Sequence, residues 1–536
     1  MKSTFLSSLI LCLLSTISIA QHHGLANTIG KNIIIENQKF IVNAISYDKK
    51  VQTRTDVPQL PTTKEYNTIA ALGFNTVKIL LSYTDFEKED QNLELDNALW
   101  TWLDTHIKLA KENKLKLIFT LHVPPGGHQS KKSSDELWLN SSRQLRVMRY
   151  WYNISRNYKN EETVLAYELL DDPSPNFSVG QWKQLSKNII NDIRRQADDH
   201  IIILHNCIIK EGSTAKQKPE DFNFPYFPEF KNIIYSFDYW NNKAFTWQRV
   251  KGLPYNNDNE FFPDSTKYTY PEDLEVFKTT DDNTRIGYGT NELAFTEGKQ
   301  YLISDSTITS ILPVIYADKL MPGFAFYNTI VIKEYSPTRQ YLRDISFTDP
   351  NKVEGWEIDT KDKNAKFNLI SDYGVLLVSV IRIDRVETPT RVYNPIMRFV
   401  PKFGHYYSIG AHTFTQSVNF KGESYLRFEF ERSLSGRRST PRTEEGITND
   451  LKYFKAWSDE KNAPIMVSEY GTSNYSFKRK RGGENYLATF KKLLKSYELN
   501  ACFSSFDSQY FGIYSTDKKG KLTPKKRQIK VWKKQD

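Results

Sequence analysis

Two short stretches place carboxylates where an apolar run meets Pro or Gly: AYELLDDPSP over Ala166–Pro175 and PIMVSEYGTS over Pro464–Ser473. A carboxylate at the point where a buried strand becomes a loop is how a (β/α)8 barrel presents reactive groups at its C-terminal face. Two such strands bring Asp172 and Glu469 to one rim, although they lie far apart in the chain. Paired carboxylates on a barrel rim point to glycoside hydrolysis, one as proton donor and the other as nucleophile. Glu168 lies four residues before Asp172 with the same strand parity, so it is expected to point into the barrel as a buried hydrogen-bonding partner.

Those carboxylates need elements to hold them. The segment GKNIIIENQKFIVNAIS (Gly30–Ser46) alternates and turns at Asn37, as a short hairpin does. A helical pattern over Thr63–Leu72 stops at Gly73 and meets the apolar run Thr76–Leu81. The same alternation continues through a helix at Asn97–Asn113 and a strand at Leu115–His122, then a helix at Ser142–Tyr158 and a strand at Val164–Leu170. A helix at Gln181–Ala197 precedes Ile201–His205, and Ile233–Phe237 follows. Helices alternating with short apolar strands predict a parallel sheet of βα repeats. From Tyr270 to Thr443 the helices stop, and strands are expected at Gly323–Ile332, Lys366–Leu369, Val375–Ile381, Tyr406–Phe414 and Tyr425–Phe430. Antiparallel strands without helices predict an inserted β-sandwich. The barrel pattern resumes with a helix at Asp450–Trp457, the strand Ile465–Glu469, a helix at Tyr486–Tyr497 and the run Ala501–Phe506. The expected fold is α/β, a (β/α)8 TIM barrel with an all-β sandwich between its sixth and seventh strands. Its expected parts are a signal peptide at 1–20, barrel at 28–270, sandwich at 271–445 and barrel again at 446–536.

Bulk properties narrow the class. Lys2, the apolar run Phe5–Ala20, and small Ser18 and Ala20 before Gln21 have the form of a secretory signal, so a secreted or periplasmic protein is expected. No later run approaches the ~18 apolar residues of a membrane span. Beyond Ala20 only Cys207 and Cys502 remain, to be paired or left as buried thiols. With no Cys/His cluster at metal-ligand spacing and no phosphate-binding glycine loop, no metal or organic cofactor is expected. The net charge of +10 is spread along the chain, with runs at Lys478–Arg481 and Lys518–Lys534. These read as solvated loops, or as attraction to acidic polysaccharide or an anionic surface, rather than as a nucleic-acid site. An aromatic content of 14%, with 31 Tyr and 10 Trp, suits stacking on sugar rings and suits a β-rich core equally.

In order and spacing, five segments resemble glycoside hydrolase family 5, the cellulase-like (β/α)8 hydrolases: GFNTVKILLSY (Gly73–Tyr83), LIFTLHVPPGG (Leu117–Gly127), AYELLDDP, YSFDYWNNKAFTWQ (Tyr235–Gln248) and PIMVSEYG. The inserted segment is similar to carbohydrate-binding β-sandwich modules, with GFAFYNTIVIKEYSP resembling a closing strand. The resemblance implies an endo-acting hydrolase of a β-linked glucan or mannan that retains anomeric configuration. Glu469 then matches the nucleophile of the seventh strand, and His122 the rim histidine of the third. Other positions depart from the family pattern. Lys78 stands for Arg, Asp171 for Asn, Asp172 for the acid/base Glu, and Asp238 and Trp240 for His and Tyr; Ser505 or Phe506 stands for the Trp platform of the eighth strand. Lys lacks the bidentate fork of Arg. Asp172 is shorter than Glu by one methylene, roughly 1.5 Å, and a misplacement of about 1 Å costs about a hundredfold in rate. Two readings therefore stand. In one, Glu469 and Asp172 catalyse while Lys78, His122, Asp171, Asp238 and Trp240 face a polysaccharide substrate. In the other, the groove binds glycans without hydrolysing them. A third class, a surface protein whose basic loops bind a partner other than sugar, is distinguished by failure to be retained on immobilised polysaccharide.

Overall fold

The computed structural model describes residues 24–47, 59–82, 95–129, 135–176, 178–207, 223–271, 274–279, 294–320, 323–347, 356–363, 365–370, 380–384, 386–417, 423–434, 436–516 and 522–533. The expected signal peptide and most of the expected strand Val375–Ile381 lie outside these residues. Eight parallel strands close on themselves: β1 (Asn43–Tyr47), β2 (Thr76–Ser82), β3 (Lys116–Val123), β4 (Val164–Glu168), β5 (Ile201–His205), β6 (Ile233–Tyr239), β7 (Ile465–Tyr470) and β8 (Asn500–Phe503). Around them lie helices α1 (Thr63–Ala71), α2 (Asn97–Glu112), α3 (Ser141–Tyr158), α4 (Val179–Arg195), α5 (Glu444–Lys461), α6 (Gly483–Tyr497) and α7 (Lys526–Lys533). The expected (β/α)8 barrel is the observed one.

Local chemistry sets the element ends. Helix α1 begins at a capping box, in which Thr62 Oγ1 accepts from the Glu65 amide and the Glu65 carboxylate accepts from the Thr62 amide. Glu65 also accepts from Tyr47 Oη at 3.0 Å, which ties the helix start to the end of β1. Gly73 takes a φ of +83° beyond the helix, where a Cβ would be strained. Ahead of the barrel, Asn27–Ile29, Asn32–Ile35 and Gln38–Phe40 form a meander, turning through Glu36 and Asn37 at positive φ.

The interior of the barrel is layered. Alternate residues of the strands point inward, and one layer is apolar, with Ala44, Ile118, Ala166, Ile203, Ile234, Met466 and Cys502 packed against Ile33 and Val42 of the meander side. One step along the strands stands a polar layer of Ser46, Lys78, Thr120, Glu168, Ser236 and Ser468, none more than 1% exposed. Outside the barrel a larger apolar core joins strands to helices through residues such as Val77, Phe119, Tyr167 and Val467.

Between β6 and β7 the chain forms two antiparallel sheets. One has five strands with Ser310–Asp318 central beside Glu423–Ser433; the other has seven, built on Gly323–Tyr335 and Tyr406–Ser417. Ile315, Leu426 and Phe428 of the first sheet share one core with Tyr327, Ile332 and Ile409 of the second. The chain leaves and re-enters the barrel through a ribbon in which Asp264–Thr269 pairs with Thr440–Arg442. Asp450 of α5, buried beneath that ribbon, accepts from Tyr239 Oη at 2.9 Å and Asn241 Nδ2 at 3.1 Å, with Thr440 Oγ1 at 3.5 Å. Replacing it leaves three polar groups without their acceptor. Asp450→Ala is expected to lower stability by about 2 kcal/mol, read as an earlier denaturant midpoint, with Asp450→Asn losing less.

Candidate active site

The rim is assembled from the ends of β2 to β7. Parity from the polar layer carries His122 and Asp238 inward at the next step of their strands, and His205 follows inward Ile203 in the same way. Glu469 reaches the same mouth by a different route. Val467 pairs with Phe237 and Glu469 with Asp238, so β7 holds one extra residue, Ser468, against β6. Such a bulge re-aims the side chain that follows it. Ser468 points down to Glu168 at 2.6 Å, and Glu469 stands beside Asp238 instead of turning out to the helices. Beyond β4 the chain turns through Asp172, at a φ of +48° that Asp tolerates better than most residues.

Lys78 organises the floor. Its side chain is wholly buried, with Nζ 2.8 Å from Glu168 Oε2, 3.5 Å from Asp171 Oδ1 and 2.7 Å from Ser468 Oγ. Burial alone lowers an ammonium, but Asp171, Glu168 and Glu469 outweigh it and hold Lys78 charged, well above its ordinary value. Glu168 also accepts from Thr120 at 2.9 Å and Ser236 at 3.2 Å, so it is the buried partner that strand parity indicates. Asp171 accepts from His122 Nδ1 at 2.7 Å. Burial would raise its carboxyl, but Lys78 and His122 prevail and keep it ionised, far below the usual range.

The next pair is organised by His205, a residue outside the set expected from sequence. The ring is 1% exposed, with Nδ1 2.9 Å from Asn206 O and Nε2 3.2 Å from Asp238 Oδ1 and 3.8 Å from Asp172 Oδ1. Both nitrogens face acceptors, the requirement of an imidazolium. Burial lowers its pKa, but the bond to Asp238 and the charge of Asp172 push it up to about 10. The strand Ile201–His205 ends in His just as β3 reaches His122, and that parallel is the signal that could have found it.

Two carboxyls keep their protons beyond the usual range. Asp172 is raised by burial, then by Asp238, with His205 opposing. Glu469 is raised by burial, then by Asp238 and Asp171, with Lys78 opposing and Asp172 adding to the rise. Five carboxyls share this mouth with Lys78 and His205, so complete ionisation is unfavourable, and Asp172 and Glu469 are the two held above the usual range. Ligand atoms of Glu168, Asp171 and His205, and of Asp172, His205 and Asp238, lie within 4.8 Å of one another in each set. A divalent cation would have to compete with Lys78 in the first and take the proton of His205 in the second.

The aromatic residues lie to one side. Trp240 is 8% exposed, its ring 5.8 Å from Trp247 and 5.2 Å from half-buried Phe511 of the segment after β8. Phe506 stacks on Tyr47 in the core, and Ser505 is buried, so neither offers an open platform. Cys207 and Cys502 are buried free thiols.

Residues 40–279 match the family model Cellulase (glycosyl hydrolase family 5). This stretch is a family 5 glycoside hydrolase domain. The family 5 match takes in Lys78, His122, Asp171, Asp172, Asp238 and Trp240 and ends before Glu469. Cellodextrinase A of Ruminococcus flavefaciens is 26% identical over 187 residues, 35% of this chain and 53% of that protein. Endoglucanase C of Acetivibrio thermocellus is 22% identical over 231 residues, 40% of this chain and 65% of that protein. The chain thus spans between half and two thirds of the length of these two relatives. Among solved structures, Thermotoga maritima Cel5A in complex with cellobiose aligns over 92% of this chain and 97% of its own, at 11% identity and a TM-score of 0.48. At that score the likeness adds nothing to the barrel already described.

Two outcomes follow from the charge arrangement. His205 is raised in the folded state, so its stabilising part is complete below the unfolded value near 6.5 and fades as pH rises through about 10. The raised carboxyls of Asp172 and Glu469 act in the same direction, because the folded state holds protons that the unfolded chain has lost. Thermal midpoints should therefore fall as pH rises from ~6.5 to ~10, and His205→Gln should flatten that slope. Lys78→Met should cost about 3–5 kcal/mol in denaturant unfolding, because it strands two buried carboxylates.

Proposed function

We propose that the chain hydrolyses O-glycosidic bonds of a β-linked glucan by double displacement. Glu469 acts as nucleophile and Asp172 as acid/base. The observation that carries this reading is a carboxyl at the end of β4, Asp172, whose proton is held by burial and Asp238 within electrostatic reach of Glu469 on β7. Glycosidases need one proton donor and one ionised carboxylate; Asp172 holds the donor proton, and Glu469 attacks once it has given up its own. In the first step Glu469, ionised by losing its proton to solvent, bonds to the anomeric carbon as the Asp172 proton passes to the leaving oxygen and that oxygen's bond to the carbon breaks. Water then attacks the anomeric carbon, giving its proton to Asp172 as the bond to Glu469 breaks and frees its carboxylate. His205 and Asp238 position Asp172, and Lys78 anchors Asp171 from below. His122, Asp171, Asp238 and Trp240 face the sugar. The names of the two relatives, a cellodextrinase and an endoglucanase, agree with a β-glucan. By the resemblance of residues 271–445, the inserted sandwich holds the polysaccharide, and export follows from the leader at 1–20.

A second reading is favoured by one observation. Lys78 is committed to Glu168 and Asp171, and Glu469 is left raised rather than ionised. A barrel whose nucleophile stays protonated binds a glycan and leaves it whole. Reducing-sugar release from β-glucans, mannans and xylans separates the two. The hydrolase reading expects release that disappears in Glu469→Gln and falls by about 10²–10⁴ in Asp172→Asn, with Asp172→Glu at or above the parent rate. Retention on one of those polysaccharides with no release, in parent and variants alike, leaves the binding reading.

A further inference from the structure

The segment after β7 and the start of α7 enclose an open cleft of about 520 Å³. Both walls are βα connections of the last two strands, so the cleft opens on the C-terminal face that carries Glu469. Lys478, Arg479, Lys525, Lys526 and Arg527 line it together with Gln528, and no acidic side chain does. None of these five cations has an ion pair among the described residues. Arg527 donates to Phe477 O at 2.6 Å, Lys525 donates to Ser508 O at 2.9 Å, and Lys478 Nζ lies 4.2 Å over the Tyr475 ring. Carbonyls and a ring face orient these groups without neutralising them. Burial brings the Lys525 ammonium down to about 8, the direction expected of a cation short of counter-charge.

Gln528 makes the cleft more specific than a basic patch. Its side chain is 2% exposed and donates from Nε2 to Asn474 Oδ1, while Asn474 Nδ2 donates to Gln509 O at 2.7 Å. The second bond fixes how Asn474 points, which in turn fixes the amide of Gln528. Gln528 Oε1 is then buried with no hydrogen-bond partner among the described residues. A fitting ligand brings an anion for the cations and a donor for that oxygen. Ionised phosphate brings acceptors almost alone. A carboxylated sugar ring brings both.

We propose that this cleft binds a uronate residue of an acidic polysaccharide, its carboxylate against the cations and a ring hydroxyl on Gln528 Oε1. The inference rests on the glycan reading above and adds to it a subsite for an acidic residue carried beside the hydrolysed β-linked backbone, and binding tests it without turnover. The full chain would be titrated calorimetrically at about 0.15 M salt with trigalacturonate, cellotriose, tripolyphosphate and a short DNA duplex. Saturable trigalacturonate binding is expected, weakened about tenfold or more in Arg479→Ala/Lys526→Ala. Both substituted side chains are exposed, so the fold should persist, and circular dichroism checks it. Cellotriose binding should be the same in parent and variant. The proposal is overturned by absent trigalacturonate binding, by unchanged affinity in the variant, or by tripolyphosphate or DNA binding as tightly. Uronate binding without sugar release from any polysaccharide would sink the hydrolytic reading and leave this one standing.

Discussion

The ion pair between Lys78 and Glu168, sealed inside the barrel, is the constraint on which the rest of the rim depends. Bringing both charges out of water costs several kcal/mol each, and only close geometry with further hydrogen bonds offsets that. The barrel supplies them from four strands: Thr120 of β3, Ser236 of β6 and Ser468 of β7 bond to Glu168, and Lys78 comes from β2. The same demand requires Ser468 to point inward. Ser468 keeps the inward position that alternation from Met466 gives it, and the bulge at that point brings Glu469 to the mouth as well. The bulge, rather than the alternation of the strand, sets the direction of the candidate nucleophile.

Charge conservation carries the consequence outward. Lys78 settles Glu168 and Asp171, and His205 stands nearer Asp238 at 3.2 Å than Asp172 at 3.8 Å, so Glu469 has no direct ion pair with either cation and Asp172 only the longer one. Those two are left to share what positive potential remains, which is why both are raised. An Arg at position 78 would offer five donors in a fork and could serve a third carboxylate. Lys78 offers three, and Glu168, Asp171 and Ser468 lie within reach of them. The departures at 78, 171 and 238 are therefore one coupled change in charge bookkeeping rather than separate losses.

Much of this was legible in the sequence. Strand and helix order, the barrel and the place of the insertion follow from hydrophobic period and glycine stops, which report burial one element at a time. Asp171, Asp172, Asp238 and Glu469 were legible as carboxylates at strand ends. The bulge was not, since simple alternation from Met466 and Ser468 would send Glu469 outward; only pairing with β6 reveals the extra residue. Nor was His205, whose role depends on Asp172 and Asp238 from two other elements. Ser310–Asp318 escaped notice because Pro313 interrupts its run, yet it is a central strand of the five-stranded sheet. The residue pairs with Phe428, and its neighbours are buried on both faces, which erases the alternation that marks a strand.

The two electrostatic regions of the C-terminal face oppose each other in sign, and their separation has a physical basis. Carboxylates collect at the ends of β4, β6 and β7, where interior cations can reach them, whereas the basic side chains occupy the longer connections after β7 and β8, where water solvates them. If the cations lay over the mouth, they would draw Asp172 and Glu469 to ionise together and remove the proton that a donor needs. Held to one side, they leave those two carboxyls undisturbed and still present positive potential to a chain crossing the face. An acidic polymer would be repelled by the ionised rim and held beside it, so that its register over the mouth is set by two fields of opposite sign rather than by hydrogen bonds to any one sugar.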